Sequence, residues 1–305
     1  MTRHHLTHAF LSVALGLLAL PSTRAQGLDA AAASGSDFHW NGSVGIVTDS
    51  RERGLSNSAG RPAARASIEW LHASGAFAEL ELLSISKHQY PQGLGMRMQA
   101  AGGYRWGDPD GWHYEAGGQY SRFPGSTLKG GSGYHLVLDP EGGDIIDATL
   151  IPAQTSPTTA ELFGRISYQN LSVRYYHTVS RNFYGIGTNT VCPAIPDFEA
   201  SFECFQGGAR NTRGSGYLEW AYLHRLSKAA SLELRLGYQR VRNFHDFNTR
   251  SFSLEYRHLW RDYEFSVAAV GARARSREVY EVDVGGGQQR NSARTRLVLG
   301  VSHRF

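Results

Sequence analysis

Residues 250–269 read RSFSLEYRHLWRDYEFSVAA, and this stretch decides the fold. Phe252, Leu254, Tyr256, His258 and Trp260 alternate with Ser251, Ser253, Glu255 and Arg257. After Arg261 and Asp262 the alternation resumes, with Tyr263, Phe265, Val267 and Ala269 set against Glu264, Ser266 and Ala268. A period of two places successive side chains on opposite faces of a sheet. Two such runs joined by two residues form a hairpin. In water the apolar face would need a second sheet to cover it. In a membrane barrel that face meets lipid, and the charged face lines the interior.

The same code recurs outward from this hairpin. Leu232, Leu234, Leu236 and Tyr238 oppose Glu233, Arg235 and Gln239; Leu171, Val173, Tyr175, His177 and Val179 oppose Ser172, Arg174, Tyr176 and Thr178. The last run sets Leu297, Leu299, Val301, His303 and Phe305 against Arg294, Arg296, Gly300, Ser302 and Arg304. Twelve such runs fill residues 38–305. Their connections alternate between short ones (72–75, 107–111, 169–170, 227–230, 261–262) and longer ones (50–62, 87–93, 124–158, 181–213, 242–249, 276–292). A soluble sandwich has no reason to sort its loops this way. A transmembrane up-and-down antiparallel β-barrel does, because short turns face the periplasm and long loops the exterior. The expected fold is therefore all-β, a barrel of about 12 strands in the bacterial outer membrane.

Aromatic placement agrees. Trp70, Trp106, Trp112 and Trp260 adjoin short turns, and Trp40 falls at the same end in an up-down order, as a periplasmic girdle requires. Tyr120, Phe123, Phe183, Tyr184, Phe244 and Phe247 are the candidates for the outer girdle. Phe305 ends the last strand on an aromatic, similar to the terminal signal of outer-membrane barrels.

Residues 1–25 read as a signal peptide: Arg3, His4 and His5, an apolar core over residues 9–20, then Thr23, Arg24 and Ala25 before a cut. Residues 26–37 are left as a short periplasmic segment. The apolar core is shorter than the roughly 20 residues of a membrane helix, and mean hydropathy is −0.36. Glycine accounts for 35 of 305 residues, above the usual level of roughly 7%. Of 31 basic residues, Arg3 and Arg24 lie in the leader, against 27 acidic residues. That near balance gives no reason to expect a nucleic-acid partner. Cys192 and Cys204 share one long loop of an exported chain, which points to a disulfide.

The segment Val47, Thr48, Asp49, Ser50, Arg51, Glu52, Arg53, Gly54, Leu55, Ser56 resembles the opening of the TorF family of outer-membrane porins. Asp49, Arg51, Arg53, Gly54 and Ser56 match, whereas Ser50 stands where that family has an aromatic. His72, Ala73, Ser74 and Gly75 resemble its first turn. The resemblance implies an outer-membrane pore without naming a solute. Read physically, Asp49–Gly54 is a rim motif at the end of the first strand. It is either a salt-bridged loop that fixes closure, with charges paired across the rim or on lipid phosphates, or a selectivity element. Gly54 permits a positive φ.

No catalytic nucleophile motif and no metal-ligand spacing emerge, and no cofactor is expected. The acidic stretch Asp139, Glu141, Asp144 and Asp147 lacks calcium-loop spacing and reads as solvated. Function then falls to the interior. The candidate pore-lining residues are Arg97, Glu115, Arg165, Arg174, Glu233, Arg235, Glu255, Arg257, Arg294 and Arg296, with Glu69, Glu79, Glu81, Glu219 and Glu264 on the same face. Unpaired buried charge is very costly, so these groups must be hydrated or mutually paired. Two functions remain open: a narrow pore for small hydrophilic solutes with weak ion preference, or a closed structural barrel whose long loops bind a partner or stabilise the envelope. Outer-membrane lipid and lipopolysaccharide are the expected surroundings. The sequence sets no oligomeric state.

Overall fold

The computed structural model describes residues 37–305; the leader expected at residues 1–25 and the segment up to residue 36 lie outside the described residues. Twelve strands form the barrel: β1 (Phe38–Val47), β2 (Ala63–His72), β3 (Ala76–Ser84), β4 (Met96–Gly107), β5 (Trp112–Arg122), β6 (Thr159–Tyr168), β7 (Leu171–Thr178), β8 (Gly216–Arg225), β9 (Ala230–Arg240), β10 (Thr249–Trp260), β11 (Tyr263–Ala274) and β12 (Arg296–Arg304). Each pairs antiparallel with its neighbours in sequence. The first closes on the last through Ser43↔Arg304 to Val47↔Gly300, so the sheet has no edge. Gly42 and Phe305 exchange both backbone hydrogen bonds, at 2.9 and 3.0 Å, which pins the C-terminus into the wall.

The alternation maps onto the wall as the sequence requires. Leu234, Leu236, Tyr238, Phe252, Leu254, Tyr256, Phe265 and Val267 are exposed on the outside, while Glu233, Arg235 and Gln239 are buried inside. A belt this apolar on the outer surface of a closed barrel is a lipid-facing belt, and the protein is an outer-membrane barrel. Trp40, Trp70, Trp106, Trp112 and Trp260 all face outward at the short-turn end, with exposures between 42% and 54%. Trp40 meets Phe305 edge-on, and Trp112 lies 4.9 Å from Tyr168.

The outer girdle differs from expectation. Only Tyr120 faces outward; Phe123, Phe183, Tyr184, Phe244 and Phe247 are buried. These rings lie at or beyond the strand ends, where alternation no longer directs them, and they collapse over the mouth to leave water. They join Leu55, Tyr90, Leu128, Ile186, Val241, Tyr280 and Ala293 in one apolar core. Every one of the six external loops contributes to it.

The third and fourth loops carry the largest structures of their own. A hairpin of Leu128–Leu138 and Ile145–Thr155 rises from the third loop. The fourth carries two short helices, α1 (Thr188–Val191) and α2 (Phe198–Gln206), whose neighbourhood is clipped by a bond between Cys192 and Cys204. Tyr134 of the hairpin packs on Phe198, Phe202 and Phe205 of α2, with ring centroids 5.1 to 6.4 Å apart.

Inside the barrel, Leu71, Phe77, Phe163, Tyr176 and Tyr217 form a second cluster against β2, β3 and β6–β8. Gly117 on β5 makes room for it. A Cβ there would lie 2.8 Å from Phe163 Cζ and 2.3 Å from the Gly102 carbonyl oxygen. Gly117→Val should therefore destabilise the refolded barrel by about 1–3 kcal/mol through overpacking. A lowered urea midpoint in detergent micelles, followed by heat-modifiable gel mobility, is the measurement.

Candidate functional site: the occluded lumen

The first external loop, residues 48–62, does not stay at the rim. It turns inward and crosses the barrel, carrying a two-residue hairpin of Arg51–Glu52 with Leu55–Ser56. Arg53 and Gly54 form its tip, with φ of 45° and 83°. A Cβ on Gly54 would lie 2.3 Å from the Gly271 carbonyl oxygen, so only glycine lets the tip press against β11.

Each charge of the motif meets a partner on a different strand. Arg53 donates to Glu161 of β6 at 3.1 Å and to Gln239 of β9 at 2.5 Å. Its guanidinium also lies over Tyr217 at 4.2 Å and Tyr176 at 4.7 Å. Gln119 donates to Glu161 at 2.8 Å, which leaves the carboxylate well satisfied. Glu52 pairs with Arg97 of β4, which also reaches Glu81 of β3; Glu81 in turn pairs with Arg65 at 2.6 Å. Burial pushes the Glu52 carboxyl up to about 7, against the pull of Arg97 and Arg53. Arg51 pairs with Asp49 at 2.7 Å and donates to the Val270 carbonyl at 3.2 Å. Asp49 also accepts from Ser56 and Ser58, so the acid holds its own loop in shape. The motif that the sequence placed at the rim is thus a crossbar within the barrel. Paired carboxylates offer its guanidinium groups a better environment than the lipid boundary does.

Below the crossbar the inward charges form two networks. Arg105 joins Glu69 at 2.8 Å and Glu115 at 2.9 Å, and Arg174 reaches Glu115 at 3.0 Å. Glu233 holds Arg235 at 2.9 Å and Arg257 at 2.8 Å, and Arg257 also takes Glu255 at 2.5 Å. Arg165 is half-buried beside Glu115 and Arg174 in the strand register. Glu79 is buried, Glu219 half-buried under Tyr217, and Glu264 lies 3.5 Å from Arg304. Arg296 is half-buried at the top of β12 against Gly60 of the crossbar loop. Arg294 departs from expectation. It is exposed in the turn before β12, which begins two residues later than the alternation suggested. Sequence reasoning put Gln239 on the inward face without giving it a partner, and it missed Glu161, Arg65 and Arg105. Extending the Arg165 parity back by four residues would have found Glu161.

The two sides of the lumen are unlike. Aromatics and arginines fill the side of β2–β8, whereas Ser43, Gly45, Ser253, Ser266, Gly300 and Ser302 leave the side of β10–β12 and β1 low. A cavity of about 970 Å³ lies along this low wall. It runs from the periplasmic turn at Ser227, Lys228 and Ala229 up to Arg51, Arg53 and Gly54. Basic groups slightly outnumber carboxylates around it. Above it sit the crossbar and the loop core, whose Phe183, Tyr184 and Ile186 are wholly buried.

No family model matches the chain, and no curated protein sequence resembles it. Solved structures similar in fold include the KdgM porin, at 11% identity and TM-score 0.43, covering 87% of this chain and 99% of that one. The NanC porin matches at 11% identity and TM-score 0.44, with the same coverage. A Pseudomonas aeruginosa FadL homologue matches at 9% identity and TM-score 0.46, covering 88% and 90%.

Arg97 is the test of the buried pairing, being fully buried between two carboxylates. Arg97→Met should cost about 3–5 kcal/mol by stranding Glu52 and leaving Glu81 to Arg65 alone. The Arg97→Met, Glu52→Gln double variant should recover much of that loss in the same urea titration, because Glu81 keeps Arg65.

Proposed function

We propose that the protein is an outer-membrane channel for small hydrophilic solutes, held shut at rest by its first external loop. The observation that carries this reading is the cavity of about 970 Å³, lined by serines, glycines and charged groups among apolar side chains, which ends beneath the Arg51–Gly54 crossbar. A barrel built only as a scaffold would gain from filling that volume, since close-packed interiors are the stable ones. The low wall of serine and glycine instead keeps a water-accessible path on one side. Such a wall offers hydroxyl groups to polar solutes, while the paired arginines and glutamates opposite give little net field. The resemblance of residues 47–56 to the TorF porins points the same way. Passage is passive diffusion once the crossbar moves, with a weak preference for anions.

Planar-bilayer recording tests the reading. Wild-type protein should show rare, brief openings. Arg53→Ala with Glu161→Gln removes the central clamp and should raise the open fraction by about tenfold, as expected for losing roughly 1.4 kcal/mol of closed-state preference. Replacing residues 50–57 by a short glycine–serine turn should give a steady conductance. Silence from all three proteins, each shown to be folded by heat-modifiable mobility, would select the closed-barrel alternative.

A further inference from the structure

The outside of the barrel carries a second charged feature that the lumen does not explain. Arg240 on β9, Arg250 on β10, Arg273 on β11 and Arg275 just beyond it are all exposed. Strand parity puts them on the lipid side, because Tyr238, Phe252 and Gly271 two residues away share their face. Arg250 and Arg273 are direct cross-strand partners, and Tyr238 is the partner of Arg250 on the other side. Like charges directly opposite on one face destabilise a sheet. The carboxylates of the overlying loops do not relieve them. Asp246, Glu278, Glu281 and Asp283 are the nearest in sequence, and among these the ion pair formed is Arg277–Glu281 at 3.9 Å. None of the four guanidinium groups is ion-paired among the described residues.

The height of the cluster matters. Leu236, Phe252 and Leu254, one turn of the pleat below, are exposed apolar side chains of the lipid-facing belt. The arginines therefore stand where outer-leaflet headgroups begin. Elsewhere around the outer rim, outward arginines on the strands are single, as at Arg122 on β5. Guanidinium groups bind phosphate bidentately and are the side chain suited to that anion. Basic clusters next to an apolar span recognise anionic lipid headgroups.

From this we infer that β9–β11 carry a docking site for the phosphorylated headgroup of an outer-leaflet glycolipid, with Arg250 and Arg273 sharing one phosphate and Arg240 and Arg275 flanking it. The inference stands whether or not the barrel conducts. An anion between Arg250 and Arg273 turns an opposed like-charge pair into a bridge that ties β10 to β11 at the rim.

Native mass spectrometry of the refolded barrel in detergent, titrated with bis-phosphorylated lipid A, tests the site. Wild-type protein should retain lipid A adducts. Arg250→Glu with Arg273→Glu should weaken binding by at least about tenfold, the loss of one charge-assisted contact. Dephosphorylated lipid A should bind wild-type protein as poorly as lipid A binds the double variant, and Arg122→Glu should bind lipid A like wild type. Retained heat-modifiable mobility shows that the double variant is folded; should it fail to fold, Arg250→Gln with Arg273→Gln takes its place. Equal binding by variant and wild type overturns the inference, as does equal loss in Arg122→Glu. Displacement of lipid A by millimolar inorganic phosphate would reassign the cluster to free phosphate and overturn the lipid assignment.

Discussion

Backbone amides and carbonyls cannot be left unpaired in lipid, and every other property of this barrel follows from that constraint. It forces the sheet to close, with Val47 and Gly300 completing a ring that has no edge. Closure gives every strand one lipid face and one lumen face, so each run must alternate. Twelve strands then enclose a lumen wider than the eight-strand case that side chains can fill. The sequence meets the surplus volume in three ways: an aromatic cluster on one side, a loop drawn inward across the middle, and water along a wall of small residues.

Charge burial is what makes the inward loop stable. Eight or more ionic groups at mid-lumen would oppose folding if any were stranded. They are instead shared: Glu81 serves Arg65 and Arg97, Glu115 serves Arg105 and Arg174, and Glu233 serves Arg235 and Arg257. A carboxylate with two guanidinium partners holds both strands and loops without added conformational cost for a second acid. The crossbar extends this sharing to a part of the chain that spans no lipid, and the same currency of ion pairs closes the wall and shuts the lumen.

Strand positions, their faces and the periplasmic tryptophan ring were legible because period-two alternation is a local signal. Residues 250–269 show it so regularly that β10, β11 and their turn fall where the alternation puts them. The loops were not legible in the same way. In the Leu128–Leu138 and Ile145–Thr155 hairpin the alternation is interrupted by Gly130, Gly131, Gly133 and Pro152, and the register shifts between Gly131 and Tyr134. Phe183 and Tyr184 looked like girdle residues because aromatic content alone cannot distinguish a ring facing lipid from one buried under loops. The inward course of residues 48–62 depends on Glu161 and Gln239, more than 100 positions away. No short window contains that information. Arg294 failed for a smaller reason, a strand that starts two residues late.

The shared core above the mouth changes how the cell surface of this protein can vary. Leu55, Tyr90, Phe123, Phe183, Phe247 and Tyr280 come from six different loops, yet they pack as one body. A change in any of them disturbs the other five, so the loops cannot drift independently under pressure from phage or antibody. Freedom to vary is confined to what projects beyond that body. The acidic tip around Glu141 and the glycine pair Gly286 and Gly287 are such places, exposed and with nothing packed against them where a side chain would stand at the glycines. The part of the surface that rests on this body is therefore fixed, and its projecting tips are left for diversity or for an inserted epitope.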